Sequence, residues 1–299
     1  ILPCLLCMML PMAWSQTPTT TLTISGVEVF TTKVYDATRV AEIADSGVVT
    51  GLNPAHDVQI QYVARYASAN VGTNIPVTIY FILSGADADL YDLDTVISTV
   101  ADITAKQLYM SGVQVQSSKI YDATTHAYIS NVGVLQGVLN GENVNYKCGA
   151  YYQDANVGTA KTVEVRYRIY DYSDTPGDTV RLASLNYVAP VYDYFNADIT
   201  AKSLGITNVN VDTTKVYDQT TAANVLYNGD LSGVIGTDIV MSTATANYDT
   251  NAVGTNKPIT VEFTLGGPAM NNYIAPNPIA LTGSITPKDI TIDSFQITP

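Results

Sequence analysis

One seven-residue segment occurs three times in this chain, and that repetition restricts the fold more than any single residue does. TKVYDAT at residues 32–38 returns as SKIYDAT at 118–124 and TKVYDQT at 214–220. Its tyrosines are Tyr35, Tyr121 and Tyr217, so the steps are 121 − 35 = 86 and 217 − 121 = 96 residues. A second marker, VGT, starts at Val71, Val157 and Val253 with the same two steps. A third, an Ile-Thr pair, falls at Ile103, Ile199 and Ile285, where the steps are 96 and then 86. Three markers in one order define three copies of one unit, with ten residues inserted in the second copy between VGT and ADIT. Repetition multiplies length and valency rather than creating one catalytic pocket, which favours a spacer or a binding array.

Each unit opens on alternating apolar residues with one shift of phase. Leu22, Ile24, Val27 and Val29 match Leu108, Met110, Val113 and Val115, then Leu204, Ile206, Val209 and Val211. That pattern predicts a half-buried strand with a bulge or bend. Ile290, Ile292, Phe295 and Ile297 repeat it, which reads as the first strand of a fourth unit in a longer protein. Further β-branched and aromatic runs at 59–66, 77–83, 162–170 and 259–265 predict strands, and no segment after the N-terminus has helical periodicity. The glycines of VGT (Gly72, Gly158 and Gly254) are expected to supply a positive φ in a tight connection. The units are expected at 20–105, 106–201 and 202–288, with 289–299 beginning the fourth. Short strands with regular turn signals predict all-β, immunoglobulin-like β-sandwich repeats in an extended array, with β-grasp-like repeats as the alternative.

The chain has 299 residues, 46% of them hydrophobic and 14% charged, which excludes a disordered polymer. A net charge of −13 without a basic patch argues against nucleic acid and anionic lipid as partners. Residues 1–15 read as a signal peptide, with an apolar core and Ala13-Trp14-Ser15 before the cut. Cleavage there would leave Cys148 as the one cysteine, expected to be a small buried apolar residue with no disulfide. The expected location is secreted or cell-surface.

KVYD, KIYD and KVYD at Lys33, Lys119 and Lys215, the NVGT-type turn, SGADADLY at 84–91 and the closing ADIT-x-K carry a resemblance. With these motifs the chain resembles the YDG-domain repeats of bacterial surface and secreted adhesin-type proteins, over nearly all of residues 20–288. The resemblance implies an extracellular, array-like protein and no catalytic residues. The glycine that names the motif is replaced by Ala37, Ala123 and Gln219, so the turn is expected not to require a positive φ here.

The pairs Tyr35-Asp36, Tyr121-Asp122 and Tyr217-Asp218 read as structural, each ring buried and each carboxylate capping backbone N–H groups. Asp87, Asp89, Asp92 and Asp94 cluster as candidate calcium ligands, with Asp171, Asp174 and Asp178 as a second group, although neither has EF-hand spacing. Tyr170, Tyr172, Tyr187 and Tyr192 surround the insertion and are candidates for contact with a glycan or host protein. His56 and His126 lie at different positions of their units, and no nucleophile or phosphate-loop motif accompanies them, so no enzyme activity is expected. The reading is a monomeric structural stalk of an adhesin-type protein that holds a downstream module away from the cell. Its alternative is a binding module that uses the tyrosine-rich insertion.

Overall fold

The computed structural model describes residues 20–93, 96–139, 141–170, 183–291, 293, 294 and 296. The expected signal peptide at 1–15 lies outside them, as do most of the insertion and the end of the expected fourth strand. The chain is all-β and tandemly repeated. Each repeat contains one five-stranded sheet. In the first the order is Thr32–Val34, Ile97–Thr104, Gly72–Ser84, Gln59–Tyr66, Val40–Ala41. In the second it is Ser118–Ile120, Asp193–Thr200, Gly158–Tyr170, Asn145–Tyr152, His126–Ala127. In the third it is Thr214–Val216, Ile279–Thr286, Gly254–Gly266, Met241–Tyr248, Ala222–Ala223. The 86- and 96-residue steps carry over to these strands without slippage.

One edge pair of each sheet is parallel, as in Thr32↔Asp102 and Val34↔Thr104, and the rest of the sheet is antiparallel. Short parallel pairs follow from the entry of each repeat. Thr20–Thr21 lies beside Tyr91–Asp92, Lys106–Gln107 beside Tyr187–Val188, and Lys202–Ser203 beside Tyr273–Ile274. They deliver Leu22, Leu108 and Leu204 into the core. No α-helix crosses a sheet among the described residues. None of their helices is long and apolar enough to cross a membrane.

The phase shift in the opening strand has a backbone cause. Gly26 and Gly112 (both φ 73°) and Asn208 (φ 58°) are left-handed, and each stands between the two apolar pairs of its repeat. In the first repeat Thr23–Ser25 pairs with Val48–Thr50, and after Gly26 the strand Glu28–Val29 pairs with Ile43–Asp45 through a bulge. Glycine adopts that conformation without steric cost, and asparagine is the side chain that tolerates it best.

The expectation for VGT is corrected. Gly72, Gly158 and Gly254 begin the long strands, and none of them has a positive φ. The left-handed residues stand two positions later, at Asn74 (51°), Ala160 (49°) and Asn256 (55°). There the register slips against the neighbouring strand, so the conformation belongs to a bulge within the sheet.

The chain forms two compact units that do not follow the repeat borders. The first holds residues 1–111, 135–147 and 168–190, and the second holds 112–134, 148–167 and 191–299. In the first unit, Tyr66, Val77, Ile79, Ala101 and Ile103 of the sheet share a core with Val29 and Ile43 of the opening hairpin, and with Leu108, Val144 and Tyr187. In the second, Val211 and Val225 cover Ala244, Ala246, Tyr248, Ile259, Val261 and Phe263. All the strand pairs described fall inside a repeat, while the first unit's core extends past a repeat border.

Candidate functional site: the Tyr-Asp hub and the acid that receives it

The repeated motif builds a compact polar hub. Asp36 accepts the Thr38 N–H at 2.8 Å and the Lys33 ammonium at 2.7 Å, and Lys33 also donates to the carbonyls of Thr38 (2.8 Å) and Val40 (3.0 Å). Lys119, Asp122 and Thr124 repeat this at 2.7 and 2.9 Å, and Lys215, Asp218 and Thr220 at 2.8 and 2.9 Å. Each ammonium also lies over a tyrosine ring, Tyr66, Tyr152 or Tyr248, at 5.2, 5.5 and 5.7 Å. Partial burial opposes ionisation of Asp36 and Asp122, but the lysine and the threonine N–H outweigh it and hold both below the usual carboxylate range. Asp218 is lowered to about 2, by the Lys215 ammonium first and then by the Thr220 N–H.

The residue after each aspartate is left-handed: Ala37 at 63°, Ala123 at 60° and Gln219 at 70°. This overturns the expectation that replacing the motif's glycine relieves the turn of a positive φ. The turn keeps the conformation in all three repeats and holds it against the side chain's preference. Closing the aspartate onto the threonine N–H two residues on requires that bend, and the polar contacts of the hub enforce it.

The tyrosine of the motif points away from its own hub. In the first unit the Tyr35 hydroxyl donates to Glu142 Oε1, the Tyr187 hydroxyl donates to Glu142 Oε2, and the two rings meet edge to face at 5.5 Å. In the second unit Tyr121 and Tyr273 donate to Asp238 Oδ2 at 2.8 and 2.6 Å, and their rings meet at 5.4 Å. The tyrosine of one repeat therefore closes on the acid and the tyrosine of the next. Burial, reinforced by the neighbouring carboxylate, pushes the phenol of Tyr35 well above its ordinary range and those of Tyr121 and Tyr187 up to about 12. Both junctions carry a second clasp. The Asn186 Oδ1 accepts the Val71 N–H at 2.9 Å, and the Asn272 Oδ1 accepts the Val157 N–H at 2.9 Å. Beside Tyr121, Asp238 and Asn272 lies an open cleft of about 290 Å³.

At the acid's position the first repeat has His56, whose Nδ1 lies 2.7 Å from the Tyr91 hydroxyl, and Leu90 stands at the place of Asn186 and Asn272. Sequence reading missed the acid because the position runs His56, Glu142, Asp238. The steps were the available signal, since 142 − 56 = 86 and 238 − 142 = 96.

The insertion residues divide. Tyr187 is buried with its hydroxyl committed to Glu142, so it offers no face to a ligand. Tyr170 is half-buried with Lys147 Nζ 5.2 Å from its ring centre, and it belongs to the first unit. Tyr192 is exposed and belongs to the second. Tyr172 lies outside the described residues, as do Asp94, Asp171, Asp174 and Asp178. The Asp87 carboxylate accepts the Asp57 N–H at 2.8 Å, and among the described residues Asp87, Asp89 and Asp92 form no group able to hold a metal. His126 packs against Tyr151. Cys148 is half-buried rather than buried, and desolvation raises its thiol pKa.

No curated protein matches the sequence. The family model described as the YDG domain matches three times, at residues 17–99, 104–179 and 200–280. Those matches take in all three Lys-Tyr-Asp hubs and both receiving acids, and so the chain belongs to the YDG domain family, as three tandem copies.

Proposed function

We propose that the chain is a structural stalk of a secreted, cell-surface, adhesin-type protein, in which tandem YDG repeats set the distance between the cell and a downstream module. The observation that supports this reading is the junction. The motif tyrosine, present in all three repeats, is spent in the first two on the next repeat rather than on a ligand, at Glu142 and again at Asp238. A polar, charge-assisted bond between buried rings resists bending better than a bare linker does. Small-angle scattering tests the geometry. A compact body of this length has a radius of gyration of about 19 Å, and a stalk must exceed that clearly. A value near the compact one would overturn the reading, as would finding the protein inside intact cells on fractionation.

A second reading, contact with a glycan or host protein, has one observation in its favour: Tyr192, just before the strand Asp193–Thr200, and Tyr194 within it are both exposed. Binding to cells that is lost in Tyr192→Ala with an unchanged melting temperature would favour it over the stalk.

A further inference from the structure

The third repeat presents half of a junction. Tyr217 stands where Tyr35 and Tyr121 stand, its N–H bonded to the Thr286 carbonyl at 2.9 Å as those of Tyr35 and Tyr121 are to Thr104 and Thr200. Its ring packs on the third repeat's core but is only half-buried, and its hydroxyl has no acceptor among the described residues. Val253, the counterpart of Val71 and Val157, is exposed, and no asparagine among the described residues meets its N–H.

A second observation comes from the segment that follows. The first core residue of each repeat is Leu22, Leu108 or Leu204, with exposures of 0%, 0% and 5%. Their N–H groups bond the carbonyls of Asp92, Val188 and Ile274, each one residue after the tyrosine that faces the receiving position. The next member of the series, 204 + 86 = 290, is Ile290, and it is 91% exposed. A singly exposed apolar residue is ordinary on a protein surface. This one occupies a position that the three earlier members of its series bury.

Both deficits have the same remedy. We propose that Tyr217, Val253 and Ile290 form a docking face for a further YDG repeat, whose acid takes the Tyr217 hydroxyl and whose strand after the receiving tyrosine pairs with residues 288–290. A second copy of this chain fits poorly, because its first repeat offers His56 and Leu90 where an acid and an asparagine are needed, and Leu22 already fills its core. In the docked state Ala252, which replaces Asn70 and Asn156, leaves the asparagine clasp with the Val253 N–H alone. The proposal rests on the array reading but not on surface display, and its test is independent of scattering.

The test extends the chain after Ile290, in place of residues 291–299, with a copy of its own residues 205–288, so that Ile290 takes the place of Leu204. Two quantities are read, namely the ionisation of Tyr217, by difference from Tyr217→Phe, and hydrogen exchange at the Ile290 N–H. Extension is expected to shift Tyr217 ionisation upward by about tenfold or more in proton affinity. It should also slow Ile290 exchange by roughly a hundredfold. Changing the appended counterpart of Asp238 to alanine should return Tyr217 towards its value in the unextended protein while Ile290 stays protected. A second extension with residues 109–201, which supplies Glu142 as the acid, guards against misfolding of the first. If Tyr217 and Ile290 behave in both extensions as in the unextended protein, the proposal is overturned. Oligomers of the unextended protein that Tyr217→Phe abolishes would make a second copy the occupant, and would overturn it equally.

Discussion

Tyr121 and Asp238 are 117 residues apart in the chain and 2.8 Å apart in space. The same carboxylate oxygen takes the Tyr273 hydroxyl at 2.6 Å, so one acid holds two rings that are themselves in edge contact. Asp238→Ala leaves both hydroxyls without their acceptor. The expected loss is about 1.5–3 kcal/mol, the range for hydrogen bonds to a charged group. Asp238→Asn keeps one acceptor oxygen and should lose less. Urea unfolding followed by tyrosine fluorescence checks the order, and equal losses for the two variants would deny the charge its part.

The left-handed turn gives a prediction of opposite sign. Ala123→Gly removes the clash that a Cβ meets at φ 60°, and Gln219→Gly does so at 70°. The relief of about 1–2 kcal/mol is partly offset by the greater freedom of glycine in the unfolded chain, leaving a net gain of about 0.5–1 kcal/mol at each site. A melting temperature that falls in both variants would show that the side chains contribute contacts beyond those described.

The three hub lysines should not be equivalent. The Lys119 side chain is 3% exposed, against 17% for Lys33 and 15% for Lys215. Water compensates a lost ion pair less as burial increases, so Lys119→Met should be the most destabilising of the three methionine variants. Asp122→Ala, which removes the turn's cap as well as the pair, should cost about 0.5–2 kcal/mol. Chemical denaturation of the set would contradict this ranking if Lys33→Met proved the worst.

Stability should fall at high pH. Tyr121 and Tyr187 have folded pKa values of about 12, raised first by burial and then by their acids. An unfolded tyrosine ionises near 10, so between about pH 10 and 12 the unfolded state releases protons that the folded state keeps. Their stabilisation is complete below about pH 10 and is lost as the pH rises through about 12. Melting temperatures across that window check it, and Tyr121→Phe should flatten part of the slope. At the acid end Asp218, lowered to about 2 by Lys215, acts in the other direction. Its contribution is present above about pH 4 and disappears as the pH falls towards about 2.

Much of the architecture was legible because a strand's register is written in its period. The 86- and 96-residue steps place every long strand, and the alternating apolar residues place Leu22, Leu108 and Leu204 in the core. The junction was not legible, because its acid changes identity between repeats and its tyrosines serve different copies. Tyr187 illustrates the error. Grouped with the insertion by proximity, it belongs by spacing to the series Tyr91, Tyr187 and Tyr273, whose members are all buried. Backbone strain is hidden in the same way: glycine marks positive φ in a sequence, while hydrogen bonding imposes it here on Ala37, Ala123 and Gln219.

A hydroxyl on one side and a carboxylate on the other make each junction a heterologous contact, with two unlike surfaces that are not self-complementary. Two like ends therefore cannot meet head to head through it, and growth through it has a single polarity. The number of modules joined in this way is counted by the gene and not by concentration wherever a receiving face declines the bond. His56, placed where Glu142 and Asp238 stand, gives the first repeat such a face.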